Sequence, residues 1–242
     1  MQRGNFDPVA EWYDARVRAD ELLHDLALPA LYRLAGDVQG KRLLDVACGQ
    51  GVAARGLAEM GASVVGVDIA EALLTIARVE EGARPLGIDY HVEDAQSLAS
   101  LTDGSFDAAV CNMALINIPD LAAACIAIRR VLRPGGAFVF SITHPCFQTS
   151  RSSWTDEEPP RRAVGAYFHE GWWLSSNTDG VRGKIGDEHR TLSTYINTLT
   201  RAGLLIDEIA EPRANARVAT FSPGYREVPA LLVVRCIATQ AT

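Results

Sequence analysis

No apolar run in this chain approaches the ~18 residues that a membrane-spanning helix requires, so no membrane partner is expected. An excess of basic charge is also lacking. Thirty acidic residues against 23 Lys and Arg give a formal net charge of −7, which argues against the broad positive face that nucleic-acid backbones attract. Cysteine is sparse and has no pairing pattern: Cys48, Cys111, Cys125, Cys146 and Cys236 are scattered, with no CxxC among them. Neither a disulfide framework nor a zinc knuckle is indicated, and no metal site is expected. The opening "MQRGNFDPVAEWYDARV" lacks the apolar centre of a secretion signal and mixes both charge signs. It therefore reads as cytoplasmic. There is no internal repeat and no low-complexity tract.

What the chain has is a rhythm. At 242 residues with 48% hydrophobic content it is long enough for one well-buried core, and one domain is expected over residues 1–242. From Lys41 onward, short β-branched runs at 42–46, 63–68, 89–93, 106–112 and 137–143 alternate with helical periods at 52–60 and 121–132. That is the pattern of a parallel sheet covered on both faces. Near the end, Leu192, Tyr195, Ile196 and Leu199 form an i, i+3, i+4, i+7 stripe closed by Gly203, which predicts a helix. Two apolar runs, 204–209 and 230–238, follow with no helical period between them and are expected to pair antiparallel. The predicted fold is α/β: a Rossmann-like, doubly wound, seven-stranded sheet, mostly parallel with an antiparallel C-terminal strand, in an α/β/α sandwich. Before Lys41, Asp7-Pro8 and a leucine-rich run at 22–34, interrupted by Pro29, predict a helical cap over residues 1–40. Residues 145–190, rich in Ser, Pro, Gly and aromatics, are too long for an idle connection and read as a lid or substrate-binding insertion.

The stretch "LLDVACGQG", residues 43–51, poses the functional question. Gly49-Gln50-Gly51-Val52-Ala53-Ala54 fits the G-x-G-x-x-A dinucleotide fingerprint, and Asp68 lies close to the spacing expected of a ribose-binding acid. A nicotinamide-dependent oxidoreductase is thus one reading. Asp45 weighs against it: a pyrophosphate site presents amide N–H groups and a helix N-terminus to negative phosphates, and a carboxylate just before the turn opposes that field. A sulfonium with an ammonium, as in S-adenosylmethionine, reverses the requirement. The glycines then let the backbone approach closely.

With that reading in place, "LLDVACGQG", "VVGVDIA", "VEDAQSL", "FDAAVCNMALINI" and "VLRPGGAFVFSI" resemble the successive motifs of class I S-adenosylmethionine-dependent methyltransferases, from Tyr13 to the C-terminus. The antiparallel end of the sheet suits that family. Ala47 stands where the family's first motif normally has glycine. The resemblance makes residues 41–144 a cofactor-binding core and implies roles at matching positions. Asp45, Ala47, Gly49 and Gly51 would surround the methionyl moiety. Asp68 would take the ribose hydroxyls and Ile69 would pack on the adenine. Asp94, with Glu93 as its competitor, and Ala95 would meet the adenine edge. Asn112 and Met113 would line the reactive end, Met113 having core packing as its alternative. Tyr13 would close over the cofactor, where an aromatic face suits a sulfonium, unless it only packs its helix beside Trp12.

Methyl transfer from a sulfonium is an in-line displacement whose leaving group is already activated, so alignment and exclusion of water are the main tasks. A hydroxyl acceptor also gains from a base. His144 is the leading candidate, because it ends the fifth strand at the sheet edge where ligands of such folds collect and Pro145 holds it extended; His189 is the second. In the insertion, Tyr167, Trp172 and Trp173 suggest a planar or apolar acceptor, although packing beneath the insertion would also explain the tryptophans. Arg190 would orient an anionic group, or pair with Asp187 and Glu188. After the fourth strand, "CNMALI" lacks the acid-or-Asn, Pro-Pro, aromatic arrangement of amino-directed nucleic-acid methyltransferases. The expected partner is a small-molecule acceptor, with no nucleic acid, and the expected state is a monomer or homodimer. A catalytically inactive S-adenosylmethionine-binding protein is the remaining alternative.

Overall fold

β-branched residues that alternate between two covered faces make a parallel sheet, and the chain follows that rule from Arg42 onward. The computed structural model describes residues 5–20 and 23–240; Leu22, counted above in the leucine-rich run, lies outside them. The central strands are β1 (Arg42–Val46), β2 (Ser63–Asp68), β3 (Asp89–Val92), β4 (Phe106–Asn112) and β5 (Leu132–Thr143). All five are parallel. Small antiparallel pairs fill the insertion: β6 (Ser153–Trp154) with β7 (Arg162–Ala163), and β8 (Gly171–Trp173) with β9 (Asp187–His189). The last strands, β10 (Leu204–Ala210) and β11 (Leu231–Ala238), pair antiparallel, and β11 inserts antiparallel beside β5. The seven-stranded order is β10-β11-β5-β4-β1-β2-β3. The order reverses at β1, the kind of switch point beside which ligands of open α/β sheets bind.

The helices are α1 (Ala10–Asp20), α2 (His24–Ala35), α3 (Val52–Glu59), α4 (Glu71–Ala83), α5 (Leu121–Val131), α6 (Val181–Lys184), α7 (Leu192–Arg201) and α8 (Ala216–Phe221). Because strand side chains alternate, neighbouring residues enter different cores. Leu44, Val46, Val65 and Val67 join Phe138 and Phe140 on the face covered by α5 and α7. Leu43, Val64, Val110 and Val139 face α2, α3 and α4. Burial on both faces is what makes these strands near-continuously apolar.

Three expectations are corrected. Pro29 does not divide the leucine-rich run: it sits inside α2, which forfeits one backbone donor while its apolar face stays buried. The connection from β10 to β11 contains α8, capped by Asn215, whose side chain accepts from the Val218 amide; a six-residue helix is too short to show a period in sequence. β5 begins five residues early, its register shifting past Asp107 where Gly135 takes a positive φ of 79°. Among the described residues no helix is long and apolar enough to cross a membrane.

Candidate functional site

The C-terminal ends of β1, β2 and β4 open into a cleft of about 1060 Å³ of atom-free space, mouth included. At its floor lies Asp45, on the α2/α3 face of the sheet by the alternation above and only 1% exposed. Neither carboxylate oxygen has a hydrogen-bond partner of good geometry among the described residues. Burial raises its pKa to about 8; the Ala54 amide in the first turn of α3 works against this, and the charge of Asp68 adds to it. A buried carboxylate with so little local support is costly unless a cation or donor arrives.

The turn after β1 explains its glycines. Gly49 and Gly51 hold φ of 55° and 84°, and a Cβ on Gly51 would lie 2.3 Å from the Tyr90 hydroxyl. No larger residue fits there. Ala47, the departure from the family's glycine, also holds a positive φ of 54°, and Met113 after β4 holds 55°. An L-residue in this region costs roughly 1–2 kcal/mol, and both strained residues line the cleft.

Asp68 ties two turns together, its Oδ2 accepting from the Gly49 amide at 2.7 Å and its Oδ1 from the Ala70 amide at 2.8 Å. Burial raises its pKa while those amides and that of Ile69 counteract it. Each oxygen keeps a second lone pair. Ile69 is 47% exposed at the rim, an apolar surface open to a flat group. At the end of β3, Glu93 accepts from the amide and hydroxyl of Ser100, and Asp94 accepts from the amide and side chain of Gln96; both acids line the cleft. Behind Asn112, the Ser141 hydroxyl donates to Asn112 Oδ1 at 2.7 Å and accepts from the Met113 amide at 2.9 Å. Tyr13 from α1 stacks edge-on against Phe6, 5.0 Å between ring centres, and closes the near side.

The structure thus gathers Tyr13, Asp45, Ala47, Gly49, Asp68, Ile69, Asp94, Ala95, Asn112 and Met113 around one cleft. Gly51 stands just behind it as the N-cap of α3.

A second cavity of about 940 Å³ adjoins the first. Phe6, Tyr13, His24, Met113 and Asn117 border both. Its far side is polar: Arg16 from α1, and Asn177, Arg182 and Asp187 from the insertion. Arg182 Nε donates to Asp187 at 2.6 Å and Nη1 to Gln148 at 3.3 Å, while Nη2 is buried without a partner among the described residues. Burial raises the pKa of Asp187 and the Arg182 charge opposes the rise. Sequence reasoning missed His24, Arg16, Arg182 and Asp187, since they share no local spacing and only the tertiary fold unites them. The indirect signal was the insertion itself.

The other sequence-predicted residues lie outside both cavities. His144 has both ring nitrogens engaged: the Cys146 amide donates to Nδ1 at 3.3 Å and Nε2 donates to Glu211 at 2.8 Å. Burial lowers its pKa against the pull of Glu211. That neutral tautomer leaves no ring lone pair for a substrate proton, so its location at a strand end was a misleading guide. His189 donates to the Tyr167 carbonyl at 2.8 Å. Arg190 is buried and donates to the carbonyls of Leu115, Ile118 and Pro119 at 3.0, 2.5 and 2.9 Å. It braces the loop that carries Asn117, Ile118 and Pro119 to the first cleft, instead of orienting an anion. Tyr167 accepts from the Leu192 amide. Trp172 and Trp173 pair with Glu188 and Asp187 across β8 and β9, and Trp172 packs against Gly186, where a Cβ would be 2.3 Å from its indole nitrogen.

Comparison with known proteins points one way. A methyltransferase-domain family matches residues 44–140. An S-adenosylmethionine-dependent methyltransferase from Mesorhizobium loti, of known structure, superposes with a TM-score of 0.73 at 31% identity, over 86% of this chain and 96% of that one. A putative S-adenosylmethionine-dependent methyltransferase from Listeria monocytogenes gives 0.76 at 26% identity, over 91% and 100%. A ubiquinone biosynthesis O-methyltransferase from Alkalilimnicola ehrlichii is 34% identical over 139 residues. The match spans 56% of this chain and 56% of that relative.

Proposed function

The chain belongs to the S-adenosylmethionine-dependent methyltransferases, and on that premise we propose that it transfers a methyl group to a hydroxyl of a small-molecule acceptor held in the second cavity. The observation that carries this reading is the Asp45 carboxylate, buried at the floor of the cleft with no hydrogen-bond partner of good geometry. Such a group suits a cationic ligand and opposes a diphosphate. S-adenosylmethionine, when bound, supplies a methyl on a sulfonium, ready for in-line displacement.

Asp45 with the backbone at Ala47 and Gly49 would hold the methionyl end, and Asp68 would accept from the ribose hydroxyls with its remaining lone pairs. Ile69, Asp94 and Ala95 would receive the adenine. Asn112, Met113 and Tyr13 would form the wall beside the reacting atoms, where Tyr13 and Phe6 shed water. The O-methyltransferase names of curated relatives at 34% identity support oxygen as the methylated atom. The second cavity's guanidinium groups favour an acceptor that also carries an oxyanion or carbonyl.

Calorimetric titration with S-adenosylhomocysteine and with NAD tests the cofactor reading. Micromolar or tighter binding of the first and none of the second is expected; binding of NAD alone would overturn it.

A further inference from the structure

The wall between the two cavities is where acceptor and methyl group must meet, so its polar members decide what chemistry the chain can assist. Phe6 and Met113 offer only apolar surface. Asn117 donates its side-chain amide to the Gly186 carbonyl at 3.2 Å, and Tyr13 packs its ring edge-to-face with Phe6. The remaining member is His24, the first residue of α2. Its Nδ1 is buried with no hydrogen-bond partner among the described residues, unlike His144, whose two nitrogens are both satisfied. The His24 ring lines both adjoining cavities, so this imidazole stands where a hydroxyl-bearing acceptor and the methyl group meet.

We infer that His24 is the proton acceptor for the transfer, and that the second cavity takes a hydroxylated small molecule whose O–H points at this imidazole. This rests on the methyltransferase reading above and deepens it. The acceptor oxygen forms the new C–O bond, and the C–S bond breaks with its electron pair going to sulfur. The hydroxyl proton passes to His24, which releases it to solvent after the methylated product leaves. The balance closes: a cationic sulfonium becomes a neutral thioether, and the positive charge departs as the proton.

The electrostatic setting keeps this imidazole neutral. Burial lowers its pKa to about 4, with the neighbouring Asp25 opposing the shift. Asp25 is itself paired with Arg217 of α8 at 2.5 Å. Tyr13 and Arg16 face the same space from α1, Arg182 from α6 and Asp187 from β9. Asp187 is paired with Arg182 at 2.6 Å. A neutral base is therefore present throughout the physiological pH range, although a pKa so low makes it a weak one and its value lies in position.

The test combines histidine-ring NMR with turnover. In ¹³C-labelled protein saturated with S-adenosylhomocysteine, His24→Gln assigns the ring resonance by its disappearance. Phenol is then titrated in, with anisole, which has no hydroxyl proton, as the control. We expect the His24 ring to shift with phenol and not with anisole; equal responses, or none, overturn the inference. With S-adenosylmethionine and a panel of hydroxybenzoates, His24→Gln should lower kcat about 100-fold while calorimetry gives an unchanged Kd for S-adenosylhomocysteine. Turnover within twofold of the parent would overturn the role of His24, and no transfer to any panel member would overturn the acceptor class. Failure of the parent to bind S-adenosylhomocysteine would instead defeat the cofactor reading, so the two failures are distinct.

Discussion

The two cavities share a wall yet are built in opposite ways. The first is formed mostly by strand ends and the turns that follow them: Asp45 after the two leucines of β1, Asp68 closing β2, Asn112 closing β4. Each functional group there sits at a fixed step from a buried run, so the sheet delivers it automatically. The second is assembled from α1, the start of α2 and the far end of the insertion, pieces more than 150 residues apart. Rigid scaffold elements fix the ligand that a family shares, while connections and caps are free to carry specificity.

The sharpest way to break this contrast is at the brace between the two regions. Arg190→Met removes three hydrogen bonds from a buried loop and should cost about 3–5 kcal/mol by leaving carbonyls unsatisfied, read as urea midpoint. Its effect on ligands should fall first on S-adenosylhomocysteine, because the loop lines the first cleft. An effect below about 1 kcal/mol would show that the brace is dispensable.

Asp45→Asn should act with opposite signs on binding and stability. Loss of the carboxylate should weaken S-adenosylhomocysteine about 30–100-fold, the equivalent of one charge-assisted hydrogen bond. The ligand-free variant should melt about 2–4 °C higher at pH 8, since ~1 kcal/mol moves a domain of this size by that much. The sign follows from linkage. A folded-state pKa of about 8 above the unfolded ~3.9 means that the folded state binds the extra proton. Stability from this group is therefore full below the unfolded value and falls as pH rises from about 4 to 8. Parent and variant should accordingly converge in melting temperature near pH 4, and cofactor affinity in the parent should climb between pH 6 and 8. A variant less stable than the parent at pH 8 would refute the account of Asp45.

On the acceptor side, Arg182→Met should raise the acceptor KM about tenfold while leaving the Kd for S-adenosylhomocysteine unchanged. A loss in cofactor affinity instead would merge the two cavities into one functional unit. The smallest effect belongs to His144→Asn, which should cost about 1 kcal/mol through its lost contact with Glu211 and leave the pH dependence of turnover where it was. A displaced pH profile would return His144 to the chemistry.

These differences explain what could be read from the residues. The bounds of β1, β2 and β4 were legible because β-branched runs buried on both faces have few alternatives, and ten of the eleven cofactor-side residues line one cleft because motif and strand end coincide. Arg190, Trp172 and Trp173 misled because charge and aromaticity describe a side chain, not the direction it faces. The guanidinium found carbonyls behind the loop, and the indoles found Gly186 and the β8–β9 ladder. His24 gave no signal at all, since a single histidine before a leucine-rich helix carries no periodicity and its importance depends on residues 5–16 and 175–187 folding over it.

The double anchorage of Asp68 has an evolutionary corollary. One carboxylate grips the amides of Gly49 and Ala70, so neither bend can drift in descendants without dislodging the other. A substitution at Asp68 would therefore loosen both bends at once, while the insertion and the leading helices lie outside that tie.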